Sequence, residues 1–395
     1  MTLDKKNFDF DYGALDLPTP CFLFDKALLR QNLRLLKSIQ ERTGCKILLA
    51  MKSFSSWCVF PDMKGYIAGV TTSSQDEARL GREELDLEVH NYVPAYSNGE
   101  FEEVLPSADH IVFNSFSQYH KHYPKVKASG RDIQCGLRVN PGYSEVTVDI
   151  YNPCTANSRL GIHRETFDEY KDFDFDGITG LHFHTMCQQG ADVLKRTLEV
   201  FEEKFSKYFD KLKWVNFGGG HYITRPEYDV ELLCEIISDF RKRTGLDVYL
   251  EPGEAVVLNM GFLISSVLDI IQNPNGSQVV IADTSASAHM PDVMEMPYRP
   301  EIIDSGQPGQ FEHEYLVGGK TCLSGDVIGT YTFQKPLSVG DKLVFCDQAQ
   351  YSIVKTTTFN GVRLPAIATC DSEAPTGNPT VVRQFGYEDF KTRLS

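Results

Sequence analysis

The sequence predicts an α/β protein, a (β/α)8 TIM-like barrel joined to a second, mainly β C-terminal domain. Three observations carry this prediction. Eight short β-rich runs lie between residues 46 and 253; segments with helical spacing separate them; and long helical segments disappear after Gly253.

The elements follow in order. "LPTPCFLF" is extended, because proline biases the residue before it towards β, and it is placed to join the second domain's sheet. "ALLRQNLRLLKSIQ" sets Leu29, Leu33 and Leu36 on one helical face. The eight runs are "KILLAMK" (46–52), "YIAGVTTS" (66–73), "EVHNYVPA" (88–95), "HIVFNS" (110–115), "CGLRVN" (135–140), "GITGLHFH" (177–184), "WVNFGGG" (214–220) and "DVYLEPG" (247–253). Between them, "SQDEARLGREEL", "LKRTLEVFEEKFSKYF" and "DVELLCEIISDFRKRTG" have helical spacing, the last stopped by Gly245. The later runs "FLISSVLDII", "QVVIAD", "TYTF", "KLVFCD" and "YSIV" read as strands of a sandwich or barrel-like domain. The expected division is therefore a barrel over 26–275 and a β domain over 1–25 and 276–395, since 395 residues exceed what one core usually sustains.

Composition narrows the function classes. With 54 acidic and 39 basic residues the net charge is −15, which argues against a nucleic-acid partner. No segment has the apolar length of a membrane span, and "MTLDKKNFDFDYG" resembles neither a secretory nor a transit peptide, so the cytoplasm is the expected location. Ten cysteines without a C-x-x-C pair suggest reduced thiols rather than a disulfide framework.

In a barrel of this kind the active site forms at the C-terminal strand ends. Those ends carry Lys52, His184, Gly218 to Gly220 and Glu251. A lysine among apolar groups has its charged form disfavoured, which makes its amine nucleophilic; one that simply extends to water does not. The three glycines can bring unshielded N–H groups to a phosphate or merely form a flexible turn. Glu251, before a rigid Pro-Gly turn, can bond a protonated ring nitrogen or be an ordinary solvated carboxylate. His182 and His184 alternate onto one strand face, but no third ligand appears at strand spacing, so no metal site is expected and His184 is read as a plate stacking on a cofactor ring. An amine, a phosphate loop, an aromatic plate and a carboxylate together meet the requirements of pyridoxal phosphate.

The motifs "PTPCFLFD", "LLAMKSFS", "TTSSQDEARLG", "YNPCTANSRLGI", "FGGGHY", "LEPGEA", "DTSASAHMPDVMEMPYRP", "GKTCLSGDVIG" and "YSIVKTTTFNG" resemble the barrel class of pyridoxal-phosphate enzymes that includes alanine racemase and the ornithine, arginine and diaminopimelate decarboxylases. Within that class they are most similar to carboxynorspermidine/carboxyspermidine decarboxylases. The resemblance implies Lys52 as the cofactor's covalent anchor, His184 as the ring-stacking group, Gly218, Gly219 and Gly220 as the phosphate cradle and Glu251 as the partner of the ring nitrogen. It also implies that Tyr351 reaches the phosphate, that Cys322 serves the neighbouring subunit's site in a homodimer, and that Asp326 contacts the substrate amine. Related decarboxylases usually carry arginine after "EPG"; this chain has Glu254, and an anion there suits a substrate amine better than a phosphate. Asp292, Asp283 and Glu295 are further candidates for that acidic lining, pointing to a carboxylated polyamine as substrate. The rivals are a diaminopimelate, ornithine or arginine decarboxylase, a racemase, which Glu251 disfavours, and a non-catalytic cofactor-binding relative, which would be expected to lack Lys52, Cys322 or the second domain.

Overall fold

The structure is a computed structural model that describes residues 10–170 and 173–395. Residues 1–9, which carry most of the targeting reading, lie outside the described residues. The chain forms two compact units, one of residues 31–256 and one of residues 1–30 with 257–395. The chain enters the first of these within helix Lys26–Thr43, whose Leu29, Leu33, Leu36 and Ile39 are fully buried.

Among the described residues of 31–256, eight parallel strands line the barrel, β1 Lys46–Ala50, β2 Gly69–Thr72, β3 Glu88–Tyr92, β4 His110–Phe113, β5 Gln134–Asn140, β6 Ile178–His182, β7 Trp214–Asn216 and β8 Asp247–Leu250, and the two-residue strand Ile162–His163 pairs beside the end of β5. Each of the eight pairs with the next, and β8 pairs with β1, so the sheet closes. Helices connect them in the predicted places, among them Gln75–Leu80, Ala191–Phe205 and Val230–Thr244. The last ends at Gly245 with φ 74, a left-handed stop that only glycine adopts cheaply. Closure needs room inside, and two glycines provide it for Trp214. A Cβ on Gly136 or Gly180 would lie 2.4 or 2.1 Å from its ring.

One end of the barrel is filled by a polar cluster. The Glu88 carboxylate accepts from Lys46 at 2.8 Å and from the Tyr249 hydroxyl at 2.9 Å, and lies 2.9 and 3.0 Å from Nε2 of His90 and His110. The two imidazoles stack at 3.9 Å. Glu88, His90 and His110 place ligand-type atoms within 4.8 Å of one another, but the lysine and tyrosine already occupy the carboxylate, which makes this a hydrogen-bonded plug.

Among the described residues, the other unit is built on a nine-stranded sheet. Strand Cys21–Asp25 lies in it between Gly261–Gln272, antiparallel, and Ala366–Cys370, parallel, as the extended reading of "LPTPCFLF" anticipates. Leu23, Phe262, Ile264, Val344 and Ala368 pack its core. Strands Gln278–Ala282, Val327–Phe333 and Lys342–Phe345 match predicted runs, whereas His313–Gly318 and Thr380–Arg383 had not been anticipated. "YSIV" is corrected. Tyr351 adopts φ 57, and Ser352–Lys355 forms one helical turn closed by the Lys355 N–H on the Tyr351 carbonyl at 3.0 Å. Among the described residues no helix is long and apolar enough to cross a membrane.

Candidate active site

Alternation along β1 carries one face from Lys46 through Leu48 and Ala50, and the chain then turns at 51–53 to present Lys52 beyond the strand end. The backbone there remains tied to its neighbours: Ala50 N–H donates to the Pro252 carbonyl at 3.1 Å and Met51 N–H to that of Thr71 at 3.0 Å. Lys52 is exposed, yet burial lowers its pKa, helped by the positive charge of Arg138 and opposed by Glu251, Cys187 and Glu77. The fall in its pKa favours the neutral nucleophile.

The ends of β6, β7 and β8 supply the rest. The Gly219 N–H donates to Nδ1 of His184 at 2.9 Å. Nδ1 is therefore the unprotonated nitrogen, and burial with the charges of Lys52 and Arg138 holds the imidazole well below its usual pKa. The result is a neutral ring in a fixed orientation. Glu251 is 8 % exposed. Burial pushes its pKa up, but the His182 contact at 3.0 Å and the Asn216 Nδ2–H bond at 2.7 Å prevail and bring it down to about 2. Burial lowers the pKa of His182 as well, and because a carboxylate only accepts, Nε2 of His182 is the donor of this contact.

The glycines behave differently from a simple phosphate cradle. The Gly218 N–H bonds Asn216 Oδ1 at 2.8 Å and that of Gly219 is taken by His184, so two of the three donors are turned into the protein. Their smallness is what the site uses. Cβ atoms on Gly219 and Gly220 would lie 2.5 Å from the Glu251 carbonyl and 2.1 Å from the Met186 carbonyl, and Gly220 has φ 87. Just beyond β8, Glu254 accepts from Gln188 Nε2 at 2.8 Å; Gln188 sits at φ 52.

The remaining candidates lie in the sheet unit, and several have roles other than those expected. Asp326 is buried and accepts from Ser285 Oγ, the N–H groups of Ala286 and Ser287, and both the N–H and hydroxyl of Thr321. Five donors on one carboxylate make it a structural hub rather than a substrate contact. Asp283 likewise accepts from the Ser265 hydroxyl at 2.6 Å and the Ser266 N–H at 3.0 Å inside the sheet, not from an open space. Asp292 and Glu295 do come together, but both bond the Lys355 ammonium. Cys322 is exposed, on a loop fixed by its N–H to Asn360 Oδ1 at 2.7 Å. Tyr351 stands half-buried at the start of the turn that ends in Lys355.

Two residues and one partnership escaped the sequence reading. Arg138 is buried on β5, its guanidinium 4.5 Å from the Tyr92 ring. It was visible as the lone charge within "CGLRVN". Asn216 in "WVNF" and the partnership of His182 with Glu251 needed the folded barrel to be seen. An accessible amine with a lowered pKa, a neutral planar ring and an ionised carboxylate at the ends of β1, β6 and β8 fit the aldehyde, ring face and ring nitrogen of pyridoxal phosphate.

Comparison with known proteins agrees. A family model described as pyridoxal-dependent decarboxylase, C-terminal sheet domain, matches residues 21–349. The chain is 42% identical to a carboxynorspermidine/carboxyspermidine decarboxylase of Campylobacter jejuni, covering 95% of this chain and 98% of that one. It is 40% identical to a carboxyaminopropylagmatine decarboxylase of Synechocystis, covering 96% of each. A crystal structure of carboxynorspermidine decarboxylase from Campylobacter jejuni complexed with norspermidine superposes with a TM-score of 0.87 at 41% identity, covering 95% of this chain and all of that one. With the barrel, the strand-end chemistry and these matches in agreement, the chain belongs to the pyridoxal-dependent decarboxylase family, and pyridoxal phosphate is its cofactor.

Proposed function

We propose that this protein decarboxylates carboxynorspermidine and carboxyspermidine, yielding norspermidine and spermidine for polyamine biosynthesis, and that it works in the cytoplasm as a homodimer. The observation that carries the reading is the pairing of the strand-end set around Lys52 with Glu254, a carboxylate where an arginine would serve phosphate and an anion serves an amine. The near-full-length similarity to a Campylobacter jejuni enzyme of that name supports it.

Bound at this site, pyridoxal phosphate supplies the ring that accepts the electron pair freed when CO2 departs. The protein does the rest. Lys52 would hold the cofactor covalently, His184 would lie on its ring face, and Glu251 would keep its ring nitrogen protonated. Gly220 and Tyr351 would attend its phosphate, with Gly218 and Gly219 allowing close approach. Once the substrate amine has taken its place on the cofactor, Lys52, depressed in pKa, would be released as a free amine able to accept a proton. Cys322 and Lys52 are the two groups assigned to return a proton to Cα. The exposure of Cys322 suits its service to the neighbouring subunit. Glu254 would attract the substrate's amines, and Asp292 with Glu295 would add the one negative charge that Lys355 leaves uncompensated.

A second reading, decarboxylation of carboxyaminopropylagmatine, is favoured by the 40% identity to the Synechocystis relative. One assay separates them: CO2 release by the purified protein from carboxynorspermidine, carboxyspermidine, carboxyaminopropylagmatine, meso-diaminopimelate, ornithine and arginine. The proposal expects the first two to have the highest kcat/KM. Preferred turnover of the third would establish the second reading, and turnover of the last three alone would overturn both.

A further inference from the structure

We propose that His182 and Asn216 are positioning residues that lock Glu251 as an oriented anion towards the cofactor's ring nitrogen. The proposal rests on the assignment of Glu251 to that nitrogen. The electron sink needs a protonated ring, and a carboxylate in a barrel interior can equally well take up a proton itself and leave the ring neutral. Which partner keeps the proton is decided by what else the carboxylate touches.

Here both oxygens are claimed by donors. Nε2 of His182 lies 3.0 Å from Oε2, and Nδ2 of Asn216 lies 2.7 Å from Oε1. The orientation of Asn216 is not arbitrary, because its Oδ1 accepts the Gly218 N–H at 2.8 Å, which turns the NH2 towards Glu251. His182 is held by the Tyr92 ring 5.8 Å away at 22°, and Tyr92 by its hydroxyl bond to Asn114 Oδ1 at 2.7 Å. All three members of the clamp sit at adjoining strand ends, His182 in register with Asn216 across β6 and β7. His182 and Asn216 are 2 % and 0 % exposed, so water cannot replace either donor. The Glu251 N–H on the Gly218 carbonyl at 2.8 Å fixes the backbone beneath. A donor clamp of this kind favours the ionised carboxylate, and each oxygen keeps a lone pair for the ring N–H.

The test uses holoenzyme carrying pyridoxal phosphate labelled with 15N in its ring, with the ring-nitrogen chemical shift as readout beside steady-state kinetics. The native protein and His182→Gln, which keeps an N–H donor, are expected to give the protonated shift. His182→Phe is expected to move it towards the unprotonated value and to lower kcat about 10-fold or more with KM within about twofold. Asn216→Ala should produce the same displacement independently, which covers a failure of the phenylalanine variant to fold. A protonated shift in both His182→Phe and Asn216→Ala, whatever their activity, would overturn the proposal. If Glu251→Gln also kept the protonated shift, the Glu251 assignment would fall first and the clamp with it.

Discussion

At the scale of single residues, the chemistry depends on charges kept where water would not favour them. Lys52 is the clearest case, with burial and Arg138 both disfavouring its ammonium. Borohydride reduction of the holoenzyme followed by peptide mapping should place the reduced cofactor on Lys52 and nowhere else, and a label on another lysine would refute the anchor. In the proposed reading, substrate choice turns on Glu254. Glu254→Gln should raise KM for carboxynorspermidine by about 10-fold, equivalent to ~1.4 kcal/mol, while leaving cofactor retention through dialysis unchanged. An unchanged KM would remove Glu254 from the substrate site. The placement of Lys52, Glu251 and Glu254 at the barrel's strand ends was legible in the sequence because each ends a recognisable strand or follows its Pro-Gly turn. Asp283 and Asp326 were misread for the opposite reason. Their acidity is visible in the chain, but the converging donors, such as Ser285 and Thr321 on Asp326, come from segments up to 41 residues away.

At the scale of elements, the barrel strands were readable because they are short apolar runs alternating with helix-spaced segments; most were read beyond their ends, whereas β5 starts one residue before the run read for it. "YSIV" was not readable. Its β-branched composition favours a strand, and only the left-handed backbone at Tyr351 turns it into a helix. The elements also show where substitution should be costly. Asp326→Ala would strip five donors of their acceptor and release the 318–326 loop, which carries Cys322, from helix Ala286–His289. A loss on the order of 3 kcal/mol follows from buried donors left unpaired. It should appear as a fall in the thermal midpoint together with reduced activity, and a midpoint within a degree of the parent would show that Asp326 is not the hub described. Gly220→Ala should act on the strand-end loop, because its Cβ meets the Met186 carbonyl at 2.1 Å and its φ is 87. Weakened cofactor retention is the expected result, measured by absorbance after dialysis.

At the scale of the whole molecule, both compact units carry histidines that folding keeps neutral, and this sets the protein's response to acid. In the barrel, burial and the neighbouring His110 pull His90 down to about 4 despite the Glu88 contact. In the sheet unit, His289 is pulled to about 4 by burial; its Nε2 lies 3.1 Å from the Arg363 carbonyl and its Nδ1 3.0 Å from the Thr284 hydroxyl. That arrangement assigns Nε2 as donor and Nδ1 as acceptor, a neutral tautomer. In the unfolded chain both return to about 6.5. The unfolded state then binds more protons between these values, so the stability each contributes is complete above pH 6.5 and is lost as the pH falls towards 4. The loss should be on the order of 1 to 2 kcal/mol per histidine by pH 5. Glu251, held near 2, contributes in the same direction but only below the ordinary carboxylate range near 4.5, so a comparison of pH 7.5 with pH 5 reports chiefly on the histidines. The urea midpoint of the holoenzyme should fall between those two pH values, and His289→Asn, which carries no titratable group, should reduce the difference. An equal midpoint at both pH values would mean that these imidazoles are not held neutral by the fold.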